Sequence, residues 1–157
     1  MTVVSDTSPL NYLILINCEG LLSVLFRKIA LPAAVLTELQ SEGAPKEIHD
    51  WITHKPDWIG VHHVDMPETY LPELGLGERQ AIYLARSVGA DALLMDDAKG
   101  RVATERTKLR VFGTLGILDA AALRDLVDLP AAVEKLKQTT FRARPNLLDS
   151  LVKRHSS

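Results

Sequence analysis

Apolar positions along this chain switch repeatedly between a strand-like run and a helical period. Residues 2–5 form a short β-branched run with the signature of a buried strand. Behind it, Leu10, Leu13, Ile14 and Asn17 recur at helical spacing. Ser8 is placed to cap that helix, and Pro9 stands at its first position, where a missing N–H costs no bond. A second strand is expected at 28–31. Pro32 then opens a helix to 41 that turns Val35, Leu36 and Leu39 inward. Residues 42–75 carry prolines at 45, 56, 67 and 72 and read as a short helix, a strand at 59–64 and loops. The clearest helix runs from 77 to 88, with Ala81, Leu84, Ala85 and Val88 at i, i+3, i+4 and i+7 and Gly89 as its stop. A strand at 92–95, a helix at 98–108 and a strand at 110–112 follow. Helices near 115–126, 130–138 and 146–154 close the chain.

Strands alternating with helices predict an α/β domain spanning 1–157. Its expected form is a three-layer α/β/α arrangement around a mostly parallel sheet of four to five strands. In such sheets ligands bind beyond the C-terminal strand ends, where strand order reverses. Chemistry is therefore sought in the residues that follow the strands.

Composition changes this picture little. The 157 residues are 46% hydrophobic and 24% charged, with a formal charge of −2. No global basic field for nucleic acid exists, so any such contact must be local. The lone Cys18 excludes an internal disulfide, fits a reducing cytoplasmic setting and is expected in the core. The start of the chain lacks a positively charged leader region. The apolar stretch 10–25 is broken by Asn11, Asn17, Glu19 and Gly20, so no membrane span is expected.

Acids occupy the strand ends. Asp6 follows the first strand, and Asp96 and Asp97 follow the fourth. Glu78 lies about 60° from Ala81 on the helical wheel, toward the core, where an unpaired carboxylate is costly. Glu38 lies at the edge of its helix's apolar face. Each has an ordinary alternative: a cap for Asp6, a turn and cap for Asp96-Asp97, a helix-dipole role for Glu78, a solvated position for Glu38. Together they form a hard-oxygen set suited to Mg²⁺ or Mn²⁺, ions that activate water and neutralise a phosphodiester.

The segments VVSDTSPLNYL, IALPAAVLTEL, GLGERQAIYLA, ALLMDDAKGR and VFGTLGIL, in this order, resemble PIN domains, and among them the toxins of the VapC type. FRARPNLLDSLVKR resembles the closing helix of that family. The resemblance implies a metal-dependent endoribonuclease with strand one beside strand four. It implies catalytic acids at Asp6, Glu38, Glu78 and Asp96, the same four as metal ligands, and Asp97 as a further ligand or outer partner. Ser8 matches a water-orienting hydroxyl. It further implies RNA as substrate, a cognate antitoxin as partner and a homodimer. Leu10, Leu13 and Leu22, or the helix around Leu147 and Leu151, are the expected dimer faces.

Lys99, Arg101, Arg106, Lys108 and Arg110 follow the Asp pair and are candidates for RNA phosphates, Lys99 and Arg101 first. Arg142, Arg144, Lys153 and Arg154 form a second basic region. Gly75-Leu76-Gly77 lacks the spacing of a phosphate loop and reads as backbone freedom before Glu78. Trp51 and Trp58 read as packing residues. A dehalogenase-type phosphatase would need an acid at position 8, which is Ser8. The remaining alternative is a PIN-like module that binds nucleic acid or protein without turnover.

Overall fold

The computed structural model describes residues 1–105 and 107–156, so Arg106 lies outside the described residues. Five strands pair in parallel in the order β3-β2-β1-β4-β5. They are β1 (Val3–Ser5), β2 (Ile29–Pro32), β3 (Ile59–His62), β4 (Ala92–Leu94) and β5 (Arg110–Phe112). The chain builds outward from β1 through β2 to β3, then returns to the other side of β1 for β4. Strand order thus reverses between β1 and β4, which lie side by side with Val4 opposite Leu93.

Alternation along these short strands sends neighbours to opposite faces. Val3, Ala92 and Leu94 enter one core, with helices α1 (Thr7–Leu15), α2 (Gly20–Phe26), α7 (Thr114–Leu123) and α8 (Leu129–Lys137). Val4, Leu93 and Met95 enter the other, against α5 (Leu76–Ser87). Helices α3 (Ala33–Leu39), α4 (Lys46–Thr53), α6 (Ala98–Thr104) and α9 (Pro145–His155) complete the layers. The expected α/β architecture is present, and all the observed pairings are parallel. Among the described residues, no helix is long and apolar enough to cross a membrane.

Several local expectations are corrected. Helix α1 starts at Thr7, one residue before the expected cap, so Ser8 lies inside its first turn and Asp6 takes the N-cap position. Asn17 is not on the inner face of that helix. It stands beyond the end with φ 59°, where the N–H groups of Asn17 and Cys18 close on the carbonyls of Ile14 and Leu13. The expected stop at Gly89 uses the same motif, with φ 60° and the Ala90 N–H donating to the Ala85 carbonyl. Helix α2 was not anticipated, and α6 ends at Thr104 rather than 108.

Leu10, Leu13, Leu22 and Leu151 are core residues at 0–2% exposure and offer no face for self-association; of the expected set only Leu147, at 51%, is exposed. Cys18 is half-buried against the core rather than inside it. Trp51 and Trp58 pack on each other, with ring centroids 5.8 Å apart.

Candidate functional site

The reversal of strand order between β1 and β4 opens the sheet's C-terminal edge at their ends. Asp6 stands there because it directly follows Ser5, and its N–H donates to the Leu94 carbonyl of β4 at 2.8 Å. It is 3% exposed, and its side chain makes no capping bond to α1. Burial pushes its carboxyl up to about 7 from the ordinary 3.8. The Thr7 N–H pulls the other way, while the charges of Glu78, Glu38 and Asp97 push it further up.

Glu78 is half-buried at the third position of α5. Its carboxylate bends back to accept the Gly75 N–H at 2.7 Å, a capping bond for the helix start. Burial raises its pKa, the Gly75 bond lowers it, and the charges of Asp97 and Glu38 raise it. The half-buried carboxylate thus serves the start of its own helix. Every charge that shifts Asp6 or Glu78 belongs to a carboxylate.

Glu38 is an exposed residue of α3. Its carboxylate accepts the hydroxyl of Thr7, which ties α3 to the first turn of α1. The start of α3 is held against α5 by the Ala34 N–H donating to Gln80 Oε1 at 3.0 Å. Gly77 faces this carboxylate closely: a Cβ there would stand 2.6 Å from Glu38 Oε1. Gly75 likewise leaves room for Glu78, whose Oε2 would lie 2.8 Å from an added Cβ. These glycines supply space for acids. The sequence reading of backbone freedom is corrected, because Gly75 has φ −66°, open to any residue.

The two aspartates after β4 turn to different neighbours. Asp97 caps α6 through the Gly100 N–H at 2.7 Å, and its charge acts on Asp6 and Glu78. Asp96 accepts both the N–H and the hydroxyl of Thr114, each at 2.7 Å. Burial raises the pKa of Asp96, whereas the Thr114 bonds and the Arg101 charge lower it. Asp6, Glu38, Glu78 and Asp97 therefore share one field, and Asp96 is engaged on the side of α7. Ser8 lies half-buried one turn position beyond Thr7, and Lys99 and Arg101 are exposed on α6.

The donor chemistry of this edge fits a hard divalent cation: carboxylates in mutual repulsion, one of them deeply buried, with no basic group shifting Asp6 or Glu78. Among the described residues, no three or more such side chains stand as a ready ligand set for a metal. Glu38, Glu78 and Asp97 each have one oxygen on a protein donor, at Thr7, Gly75 and Gly100, which leaves one oxygen apiece. Thr7 was overlooked in the sequence; its only signal was a hydroxyl directly after a strand-end aspartate.

The family model of the PIN domain matches residues 2–157. No curated protein and no solved structure matches the chain.

Proposed function

Because the chain belongs to the PIN-domain family, whose members are in general nucleases, we propose that it is a divalent-cation-dependent endoribonuclease. The observation that supports this reading is the all-carboxylate neighbourhood of Asp6 at the β1–β4 edge, where burial first, and the charges of Glu78, Glu38 and Asp97 after it, raise its pKa to about 7. Such a field is unfavourable for the fold by itself and becomes favourable with a cation.

In this reading Asp6, Glu38, Glu78 and Asp97 hold Mg²⁺ or Mn²⁺. A bound ion supplies charge neutralisation for the phosphodiester and an activated water. Asp6 contributes the buried anchor. Glu38 and Glu78 reach in from α3 and α5, oriented by Thr7 and by the Gly75 N–H. Asp96 holds the Thr114 turn and balances Arg101, and Ser8 orients water beside Asp6. Lys99 and Arg101 meet RNA phosphates. The finer assignment, a cytoplasmic, homodimeric toxin restrained by a cognate antitoxin, rests on the sequence resemblance.

The test is cleavage of an end-labelled RNA in Mn²⁺. Wild type cuts, a chelator stops it, and Asp6→Asn is slower by about a hundredfold or more, equivalent to ~2.7 kcal/mol of transition-state stabilisation. Equal rates for both proteins would remove Asp6 from the reaction. For the toxin assignment, induced wild type arrests growth and Asp6→Asn does not; arrest by both would separate toxicity from cleavage.

A further inference from the structure

Beside the acidic edge lies a cavity of about 210 Å³ whose lining includes Asp96, Arg101, Gly113, Phe141, Arg142 and Leu147. Its floor is the turn from β5 into α7, where Asp96 fixes Thr114 through two bonds. Gly113 keeps that floor open, because a Cβ there would stand 2.7 Å from Asp96 Oδ1. Asp96, in this groove, is directly followed by Asp97, which acts on the acids at the β1–β4 edge.

The groove is lined by two kinds of side chain. Arg101 and Arg142 are exposed, and among the described residues neither has a carboxylate at ion-pair distance. Asp96 accepts from Thr114 and also feels the Arg101 charge, so Arg101 is partly balanced inside the groove and, among the described residues, Arg142 is the guanidinium more open to an outside anion. The other kind is apolar. Phe141 is fixed edge-on against Tyr12, with centroids 5.1 Å apart. Leu147 is 51% exposed, although Leu148 and Leu151 of the same helix are buried. Guanidiniums and apolar side chains lining one groove match the two faces of a nucleotide, phosphate and base.

We infer that this groove is a subsite for the nucleotide adjacent to the scissile bond, its phosphate between Arg101 and Arg142 and its base against Phe141 and Leu147. The inference deepens the nuclease reading above and rests on it. Base contact in the groove requires an unpaired nucleotide, so the subsite selects single strands over duplex.

The experiment is fluorescence anisotropy with a short mixed-sequence RNA, single-stranded or as duplex, in chelator and across a salt series. Cleavage in Mn²⁺ is measured in parallel. Arg142→Ala and Leu147→Glu alter exposed side chains, and unchanged melting temperatures establish that both fold. Wild type is expected to prefer the single strand. Arg142→Ala should reduce the slope of log affinity against log salt by about 0.7, the value for one phosphate contact on a single strand. Leu147→Glu should weaken single-strand binding by about tenfold, through lost base contact and added repulsion of phosphate. Wild-type affinity and slope in both variants would overturn the subsite. Wild-type protein that binds RNA through the groove but never cuts it would overturn the nuclease reading and leave the groove standing. Cleavage with an unchanged KM in both variants would do the reverse.

Discussion

Asp6 carries a cost that pH reveals. Its folded-state pKa of about 7 lies above the ordinary 3.8, so between those values the folded state binds more protons than the unfolded. Stability of the cation-free protein should therefore fall as pH rises from about 4 to about 7, and the loss is complete above 7. The shift corresponds to a cost on the order of 4 kcal/mol at pH 8. Asp6→Asn removes the charge and should melt several degrees higher than wild type at pH 8 in chelator, with the gain fading toward pH 4. A variant that melts below wild type at pH 8 would mean that Asp6 is stabilised as a carboxylate by contacts not described above. Asp96 behaves differently, since two donors from Thr114 satisfy it. Thr114→Val removes the hydroxyl and leaves a largely buried oxygen unpaired, a destabilisation of about 1–3 kcal/mol readable by urea denaturation. An unchanged midpoint would show that water replaces the hydroxyl at no cost.

Elements bring these acids together through contacts between helices that are remote in sequence. Helix α3 meets α5 through Ala34 and Gln80, and α1 through Thr7 and Glu38. Gly77 is where α5 leaves room for the Glu38 carboxylate of α3. Gly77→Ala should keep or slightly raise helix stability, by up to about 1 kcal/mol, because alanine is the better helix former. The same methyl group must displace the Glu38 carboxylate. Thermal stability should hold while the stabilisation gained on adding Mn²⁺ shrinks; a full Mn²⁺ response would show that Glu38 is no ligand. The sequence revealed the elements unevenly. Gly89 announced its helix end because glycine favours positive φ, whereas Asn17 fills the same role and was placed on a helix face by spacing alone. Helix α2 has Leu21 and Leu25, and Leu22 and Phe26, at i, i+4, but it is only seven residues long and begins at a glycine, too short a pattern to tell from an apolar strand, and it is held by packing of Leu21, Leu22 and Phe26 against the core. Gly75 and Gly77 looked like conformational devices because the acids they accommodate arrive from tertiary structure.

For the molecule as a whole, the topology determines where chemistry can occur. Strand-end residues were legible from sequence because the alternation of strands and helices puts Asp6, Asp96 and Asp97 directly after strands, whereas the neighbouring of β1 and β4 came only from the family resemblance. The division of labour between Asp96 and Asp97 was not legible. It depends on where α7 begins, since Thr114 claims Asp96. A cation that binds only the folded state adds about 2.7 kcal/mol at a hundred times its Kd. Mn²⁺ should accordingly raise the melting temperature of wild type by several degrees at pH 8 and do little for Asp6→Asn. Its apparent affinity should weaken below about pH 7, as protons compete for Asp6. Equal melting shifts in the two proteins would place the ion elsewhere.

In the proposed site, carboxylates from four separate segments converge on one cation at the β1–β4 edge. Anomalous diffraction at the manganese edge, from crystals grown with Mn²⁺, locates that ion. The expected peak lies within ligand distance of Asp6 and Asp97 and of Glu38 or Glu78, with Asp96 still bonded to Thr114. A peak elsewhere, or no peak at a manganese concentration that raises the melting temperature, would contradict it.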